Sequence, residues 1–253
     1  MTVKELYKIL NEKIPASLSC EWDNDGLMCC PDGERAVRRA LVALDVTDAV
    51  VDAAIEGQYD VIVSHHPFIF KGLKSINNEN YIAEKAVKLI KSGISVFSFH
   101  TRLDALDGGV NDCLCALLSL ENVCAFGEGG IGRIGDLPKP TSADELALTV
   151  KEVLGADGVL LAEANKDCRR VAVLGGEGGD DIGAAVAAGA DTYISGRLGY
   201  HAMTDAPDMG INLIEAGHFY SENPVCTVLL EMICEADHNI TCDIYHSNKI
   251  KLI

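Results

Sequence analysis

The chain has 253 residues, of which 48% are hydrophobic and 23% are charged, which is the composition of one large or two small globular domains rather than of a disordered protein. Its 38 acidic and 21 basic residues give a formal net charge of −17, and this charge disfavours nucleic acid and anionic membranes as partners. Charged residues interrupt the N-terminal segment and no stretch has the apolar length of a membrane span, so we expect a cytoplasmic protein with no membrane partner whose ten cysteines are free thiols.

The first half of the sequence predicts alternating helices and strands. Thr2 and Glu5 form a capping box that predicts a helix to about Lys13. Residues 20–30 are predicted to be irregular, with a turn at 22–26. The next predicted strands are 37–44, 60–64 and 94–97. The next predicted helices are 47–56, which Thr47 can cap, 79–91, which Gly93 ends, and 110–118.

The second half repeats this alternation. Residues 125–140 are rich in Gly and Pro and are predicted to be a crossover between two lobes, 1–124 and 125–253. Beyond it, Ser142 and Glu145 form a second capping box, which predicts a helix to about 154. The remaining predicted strands are 159–161, 171–174, 192–194, 211–214 and 240–245, and the remaining predicted helices are 181–188, 200–206 and 221–236. The pattern predicts a two-lobed α/β fold with mixed, largely parallel sheets flanked by helices.

Four of the seven histidines come just after predicted strands, namely His65, His66, His100 and His218. Ligand sites in open α/β sheets lie beyond the carboxyl ends of the strands, so we expect these side chains to converge on one cleft. His65 and His66 are adjacent, and Pro67 favours an extended backbone in which neighbouring side chains point apart. Such a pair suits two metal ions better than one, which favours a dinuclear site.

Two carboxylates can complete this site. Asp104 lies a few residues beyond predicted strand 94–97, just after His100. It offers the hard oxygen ligand that accompanies imidazole in hydrolytic metal sites, although a role as a helix cap or a turn residue also explains an Asp here. His218 and Glu222 are four residues apart and flank a turn, so both can face one ion. Ser221 is predicted to cap the following helix, and a favourable helix dipole is the simpler explanation of Glu222.

Residues 175–181 form a glycine-rich segment between a predicted strand and a predicted helix. Asp181 stands where the third Gly of a dinucleotide fingerprint would be, and the Lys and Ser or Thr of a P-loop are missing. A tight structural turn capped by Asp is therefore favoured over a nucleotide site. His201, on a predicted helix, has no partner that the sequence reveals.

Several segments together resemble the GTP cyclohydrolase I type 2 family, also called the Nif-three-like dinuclear metal proteins, over nearly the whole chain. They are WDNDGL (22–27), ALDVT (43–47), VSHHPFIFK (63–71), FHTRLDA (99–105), GGVND (108–112), GRIGDL (132–137), VAVLGGEGGD (171–180) and EAGHFYSE (215–222). The resemblance implies a two-lobed α/β subunit in a toroidal homohexamer, with metal sites facing an inner cavity. Some members carry a large inserted domain, for which residues 125–140 leave no room.

The resemblance also implies two divalent metal ions per subunit. Carried over to this sequence, His66 and Asp104 bind one ion, His65 and His218 bind the other, and Glu222 bridges the two. Mixed imidazole and carboxylate ligands accept zinc, iron, manganese, cobalt or nickel, so the sequence does not identify the metal.

Two functions fit these expectations. The first is a metal-dependent hydrolase of a small molecule, GTP or another nucleotide-like heterocycle, in which two ions lower the pKa of a bridging water and His100 or His201 moves protons. The family often has an acidic residue at the position of Arg197, and the reversed charge weakens the transfer of the cyclohydrolase activity to this chain. The second is a non-catalytic protein that binds or delivers metal or serves as a scaffold.

Overall fold

The computed structural model describes residues 1–77 and 79–253. In chain order the elements are α1 (Val3–Lys13), β1 (Gly26–Cys29), β2 (Arg39–Ala43), α2 (Asp48–Glu56), β3 (Val61–Ser64), α3 (Tyr81–Ser92), β4 (Ser95–Ser98), α4 (Thr101–Ala105), α5 (Val110–Leu117), β5 (Glu121–Phe126), β6 (Gly132–Thr141), α6 (Ala143–Leu154), β7 (Leu160–Ala162), β8 (Cys168–Glu177), α7 (Ile182–Ala187), β9 (Thr192–Arg197), α8 (Tyr200–Met209), β10 (Asn212–Glu215), α9 (His218–Glu222), α10 (Val225–Ala236) and β11 (Thr241–Tyr245). The predicted mixed α/β architecture is confirmed.

The described residues form two compact units. Unit 1 is Met1–Leu103 with Val225–Asn248, and unit 2 is Asp104–Pro224 with Lys249–Ile253. This division differs from the predicted lobes 1–124 and 125–253, because residues 104–124 belong to unit 2 and residues 225–248 to unit 1. The second difference has a clear cause: β11 returns to pair in parallel with β2 over its whole length.

Unit 1 is built on a five-stranded sheet in the order β1-β4-β3-β2-β11. Every neighbouring pair is parallel except β1 with β4. Strands β3 (VIVS) and β4 (SVFS) are buried along their full length, as expected for consecutive apolar residues in a sheet that is covered on both faces. Val50 of α2 and Leu89 of α3 share one core cluster with Ile62 and Val96. Because β2, β3 and β4 are parallel, their carboxyl ends lie at the same edge of the sheet.

Unit 2 is built on a six-stranded sheet in the order β5-β6-β8-β9-β10-β7. Its centre, β8-β9-β10, is parallel, and the outer strands pair antiparallel. Neighbouring residues of one strand face opposite sides, so Val173 packs in the cluster that contains α5 and α6, whereas Ala172 packs in the cluster that contains α7 and α8.

The local capping signals are confirmed. The Thr2–Glu5 and Ser142–Glu145 boxes are both formed, and the Thr47 side chain accepts a hydrogen bond at the start of α2. Gly93 ends α3 in the left-handed conformation, with φ of +70°. Among the residues that the structure describes, no helix is long and apolar enough to cross a membrane.

The prediction that residues 125–140 form a crossover was wrong. This stretch holds the end of β5 and most of β6, and β6 pairs antiparallel with both β5 and β8. Proline cannot donate to a strand ladder, which argues against a strand in a sequence. Here the pairing of β6 with β8 shifts between Asp136 and Thr141, and Pro138 and Pro140 fall inside that irregular stretch. The predicted irregular segment 20–30 likewise contains a strand, β1.

Candidate metal centre

Three histidines lie together just beyond the carboxyl ends of β3 and β4 in unit 1. The ring centroids of His65 and His66 are 5.1 Å apart, and His100 lies 5.3 and 5.7 Å from them. One ring nitrogen from each lies within 4.8 Å of the others, which is close enough for a shared ion. The expectation that the side chains of His65 and His66 diverge was wrong in its premise, because the backbone bends at both residues instead of staying extended.

The rings of His65 and His66 are held by oxygen acceptors at Nδ1. The Nδ1 of His65 donates to the Phe99 carbonyl oxygen at 3.0 Å, and the Nδ1 of His66 donates to Asp45 Oδ1 at 2.7 Å. A carbonyl oxygen only accepts, so the proton of His65 must sit on Nδ1 and the lone pair on Nε2. An imidazole held in this way at one nitrogen is oriented to bind a metal through the other.

The third ring, His100, is held by a buried carboxylate. Its Nδ1 donates to Asp23 Oδ1 at 2.9 Å, and the backbone N–H and hydroxyl of Thr101 donate to Asp23 Oδ2 at 3.1 and 2.7 Å. Burial alone would raise the pKa of Asp23, but the hydrogen bonds from His100 and Thr101 outweigh it and hold that pKa well below its usual range. Asp23 therefore stays ionised and fixes the orientation of His100.

In unit 2, His218 and Glu222 lie on one face of α9. Residues four apart are neighbours on a helix, and His218 Nε2 is 3.0 Å from Glu222 Oε2. The prediction that Ser221 caps the following helix was wrong. Ser221 lies inside α9, where its hydroxyl donates to the His218 carbonyl at 2.9 Å and accepts from the Gly176 N–H at 3.1 Å. Glu222 thus ends α9 instead of opening α10.

The carboxylate of Glu222 rests against the glycine-rich segment. Gly176 has a φ of +71°, and a Cβ at this position would overlap Glu222 Oε1. The segment is therefore a seat for Glu222, which only glycine allows at this distance. The predicted Asp cap is not formed: Asp181 precedes α7, but its side chain makes no capping hydrogen bond within the described structure.

Asp104 is tied to the same seat by Asn111. The Asn111 amide donates to the Asp104 carbonyl at 3.2 Å, and its oxygen accepts from the Gly175 N–H at 2.8 Å. Asn111 is fully buried and Asp104 nearly so. Carboxylate oxygens of Asp104 and Glu222 lie within 4.8 Å of each other. Asp104 sits within α4 and not at a helix cap, so unit 2 by itself places Glu222 close to both His218 and Asp104.

The surroundings of His201 differ from those of the histidines described above. It is exposed on α8, with its ring 5.5 Å from that of Tyr200. Across residues 1–77 and 79–253, no side chain makes a hydrogen bond that would orient His201, whereas His100 has Asp23.

Sequence reasoning missed four residues that position the others: Asp23, Asp45, Asn111 and Gly176. Asp45 had a usable signal, because it lies two residues beyond the end of β2, as His66 lies two residues beyond the end of β3. Asn111 and Gly176 lie in segments that carried the family resemblance, but nothing in their local pattern reveals what they contact.

Comparison with known proteins gives the chain its family. A model of the family described as Duf34/NIF3 (NGG1p interacting factor 3) matches residues 1–251. A GTP cyclohydrolase 1 type 2 homolog of Clostridium perfringens is 33% identical over 242 residues, covering 93% of this chain and 92% of that protein. A protein of the same description from Clostridium acetobutylicum is 34% identical over 248 residues, covering 95% and 92%. The crystal structure of a Bacillus cereus protein related to NIF3 matches with a TM-score of 0.90 at 23% identity, covering 100% and 99% of the two chains, and so has the same fold. The chain therefore belongs to the Duf34/NIF3 family, as the resemblance of its motifs predicted.

Proposed function

We propose that this protein binds two divalent metal ions through His65, His66, Asp104, His218 and Glu222. The observation that carries the proposal is the fixing of Nδ1 in both adjacent histidines, which directs the other ring nitrogen of each toward a ligand. Two adjacent histidines with purely structural roles would not both require a hydrogen bond that fixes Nδ1 and leaves Nε2 to bind a metal.

The carboxylates of unit 2 fit such a centre. Glu222 is close to both His218 and Asp104, which is the position that a bridging carboxylate needs. Three imidazoles with two carboxylates form a donor set that accepts zinc, iron, manganese, cobalt or nickel. Bound cations would also offset part of the net charge of −17.

The reaction that we propose is hydrolysis of GTP or another nucleotide-like heterocycle, in keeping with the description of the two clostridial relatives. When bound, two divalent ions supply Lewis-acid activation of water and of the bond under attack. His100 is the better proton carrier of the two candidates, because ionised Asp23 orients its ring.

Exposed aromatic rings beside His100 support a planar substrate. Trp22 is 65% exposed and Phe70 is 44% exposed, and their ring centroids lie 6.2 and 6.3 Å from that of His100. The two rings stand nearly perpendicular, 6.1 Å apart. Such a corner offers one face for stacking and one edge for an edge-to-face contact with a flat heterocycle.

Metal analysis combined with a turnover assay tests the proposal. We expect protein purified without added metal to carry close to two equivalents of a transition metal by mass spectrometry, and His66→Ala to lose at least one. Metal-loaded wild type should convert GTP or a related heterocycle, and His100→Ala should bind metal normally but turn over slowly. Full metal content with no turnover across a panel of nucleotides and cyclic amides would favour metal delivery or a scaffold instead. Wild type that carries no metal would refute the centre.

The family resemblance also supports a homohexameric, toroidal assembly, and the sequence itself supports the cytoplasm as its location. Sedimentation equilibrium measures this directly: a hexamer of the 27.0 kDa chain is expected, and a monomer would contradict it.

A further inference from the structure

A cavity of about 630 Å³ lies within unit 2, next to His218. This volume is in the range of sites that hold small organic molecules. One part of its wall is apolar or aromatic and comes from β7 and α8: Leu160, Leu161, Tyr200 and Met203. The polar part comes from the ends of β9 and β10, with Arg197 and Glu215.

The two charged residues of this cavity differ in how they are compensated. Glu215 Oε2 accepts hydrogen bonds from the backbone N–H groups of Leu198 and Gly199 at 2.7 and 3.2 Å, so its charge is already met. Arg197 is exposed at the end of β9, and its guanidinium forms neither an ion pair nor a hydrogen bond with any residue in the described part of the chain. In a protein of net charge −17, an arginine that lines a cavity and lacks an acidic partner is a conspicuous cation.

Apolar side chains are left exposed around this cation. Tyr200 is 78% exposed and Leu160 is 59% exposed. Exposed apolar side chains that cluster around a concave, partly polar surface indicate a binding site, whereas exposed apolar side chains that are scattered singly do not. The cavity thus combines a surface for an apolar or aromatic group with a planar cation that forms paired hydrogen bonds to carboxylate or phosphate.

We propose that this cavity binds a small molecule with one phosphate or carboxylate group, which Arg197 holds while the part of the molecule next to that group packs on Tyr200 and Leu160. The inference rests on the proposed function in one respect: because His218 lines the same cavity, the bound molecule is the substrate of the proposed metal centre. The inference about the cavity adds that this substrate carries an anionic group at the end away from the reacting bond.

Calorimetric titration of metal-free protein in chelator tests this, because no ion is then present to hold the anion. The probes are GMP, phenyl phosphate and benzoate, with guanosine as the neutral partner of GMP. We expect GMP to bind at least about tenfold more tightly than guanosine. Arg197→Gln should remove that difference, a loss of about 10- to 100-fold for a charge-assisted contact, and Arg197→Lys should fall between the two. Tyr200→Ala should weaken GMP and guanosine equally.

Arg169→Gln is the matched control, since Arg169 is also an exposed arginine of unit 2 but does not line the cavity. It should leave the affinity for GMP unchanged. An equal loss in Arg169→Gln, an unchanged affinity in Arg197→Gln, or no binding of any anionic probe at millimolar concentration would overturn the proposal. Metal content distinguishes the anion-binding cavity from the proposed metal centre. Arg197→Gln should keep its metal, and His66→Ala should lose metal while the anion affinity of the metal-free protein persists.

Discussion

The seat of Glu222 gives the most direct test of how the site is built, through Gly176→Ala. Gly176 has a φ of +71°, and a Cβ in this left-handed region costs about 1–2 kcal/mol. For a chain of this size that corresponds to a fall in Tm of about 2–8 °C. The new Cβ would overlap Glu222 Oε1 and lie 3.4 Å from His218 Nε2, so the carboxylate must move. We expect metal affinity to fall by about 10- to 100-fold, as for other changes to groups that orient ligands.

Gly155→Ala separates the backbone cost from the displaced carboxylate. Gly155 ends α6 with a φ of +61°, and a Cβ there would meet nothing within 4 Å. Both variants should lose similar stability when melted in chelator, where bound metal adds nothing to Tm. Only Gly176→Ala should lose metal in competition with a chelating dye. Metal affinity in Gly176→Ala within twofold of wild type, or an equal loss in Gly155→Ala, would refute the reasoning.

Three further predictions concern carboxylates. Asp45→Asn weakens the 2.7 Å contact to His66 and should reduce metal affinity by about tenfold in the same competition assay; unchanged affinity would contradict it. Asp25→Asn removes the charge partner of the buried Arg102 and should lower the free energy of unfolding by about 3–5 kcal/mol in urea, whereas a loss below about 1 kcal/mol is what an exposed ion pair would give. The backbone N–H and side chain of Asn239 lower the pKa of Asp237 to about 2, so its stabilising effect is present above the unfolded pKa of about 4 and is lost as pH falls toward 2. Asp237→Asn should therefore lower the urea midpoint at pH 7 but progressively less below pH 4, and a difference independent of pH would contradict this.

The fold was predictable where local chemistry decides it. Both capping boxes and the glycine that ends α3 act within a few residues, so the sequence alone places those helix ends. Pairing between distant strands leaves no such signal. The partnership of β11 with β2 joins residues near the two ends of the chain, and the prolines of β6 argue locally against the strand that β8 nevertheless supports. The two compact units differ from the predicted lobes for this reason.

The candidate site divides in the same way. The rule that ligands gather beyond strand ends brought His65, His66 and His100 to notice, and the structure places their rings together. The groups that orient them are harder to see. The acceptor of His65 is the backbone carbonyl of Phe99, which every residue possesses. Gly176 matters through a side chain far along the chain, so its role appears only when both are placed in space.

The adjacent histidines are not equivalent ligands, although the sequence presents them as a pair. His65 is fully buried and donates to a neutral carbonyl, whereas His66 is partly exposed and donates to the Asp45 carboxylate. A carboxylate acceptor makes the imidazole more basic and strengthens its bond to a metal, which a carbonyl does to a smaller degree. If each histidine serves a different ion, as we propose, the ion bound by His66 is held more tightly on this account. Metal titration should then proceed in two steps, and Asp45→Asn should weaken the tighter step while leaving the other in place; one step that weakens as a whole would mean that both rings share a single ion.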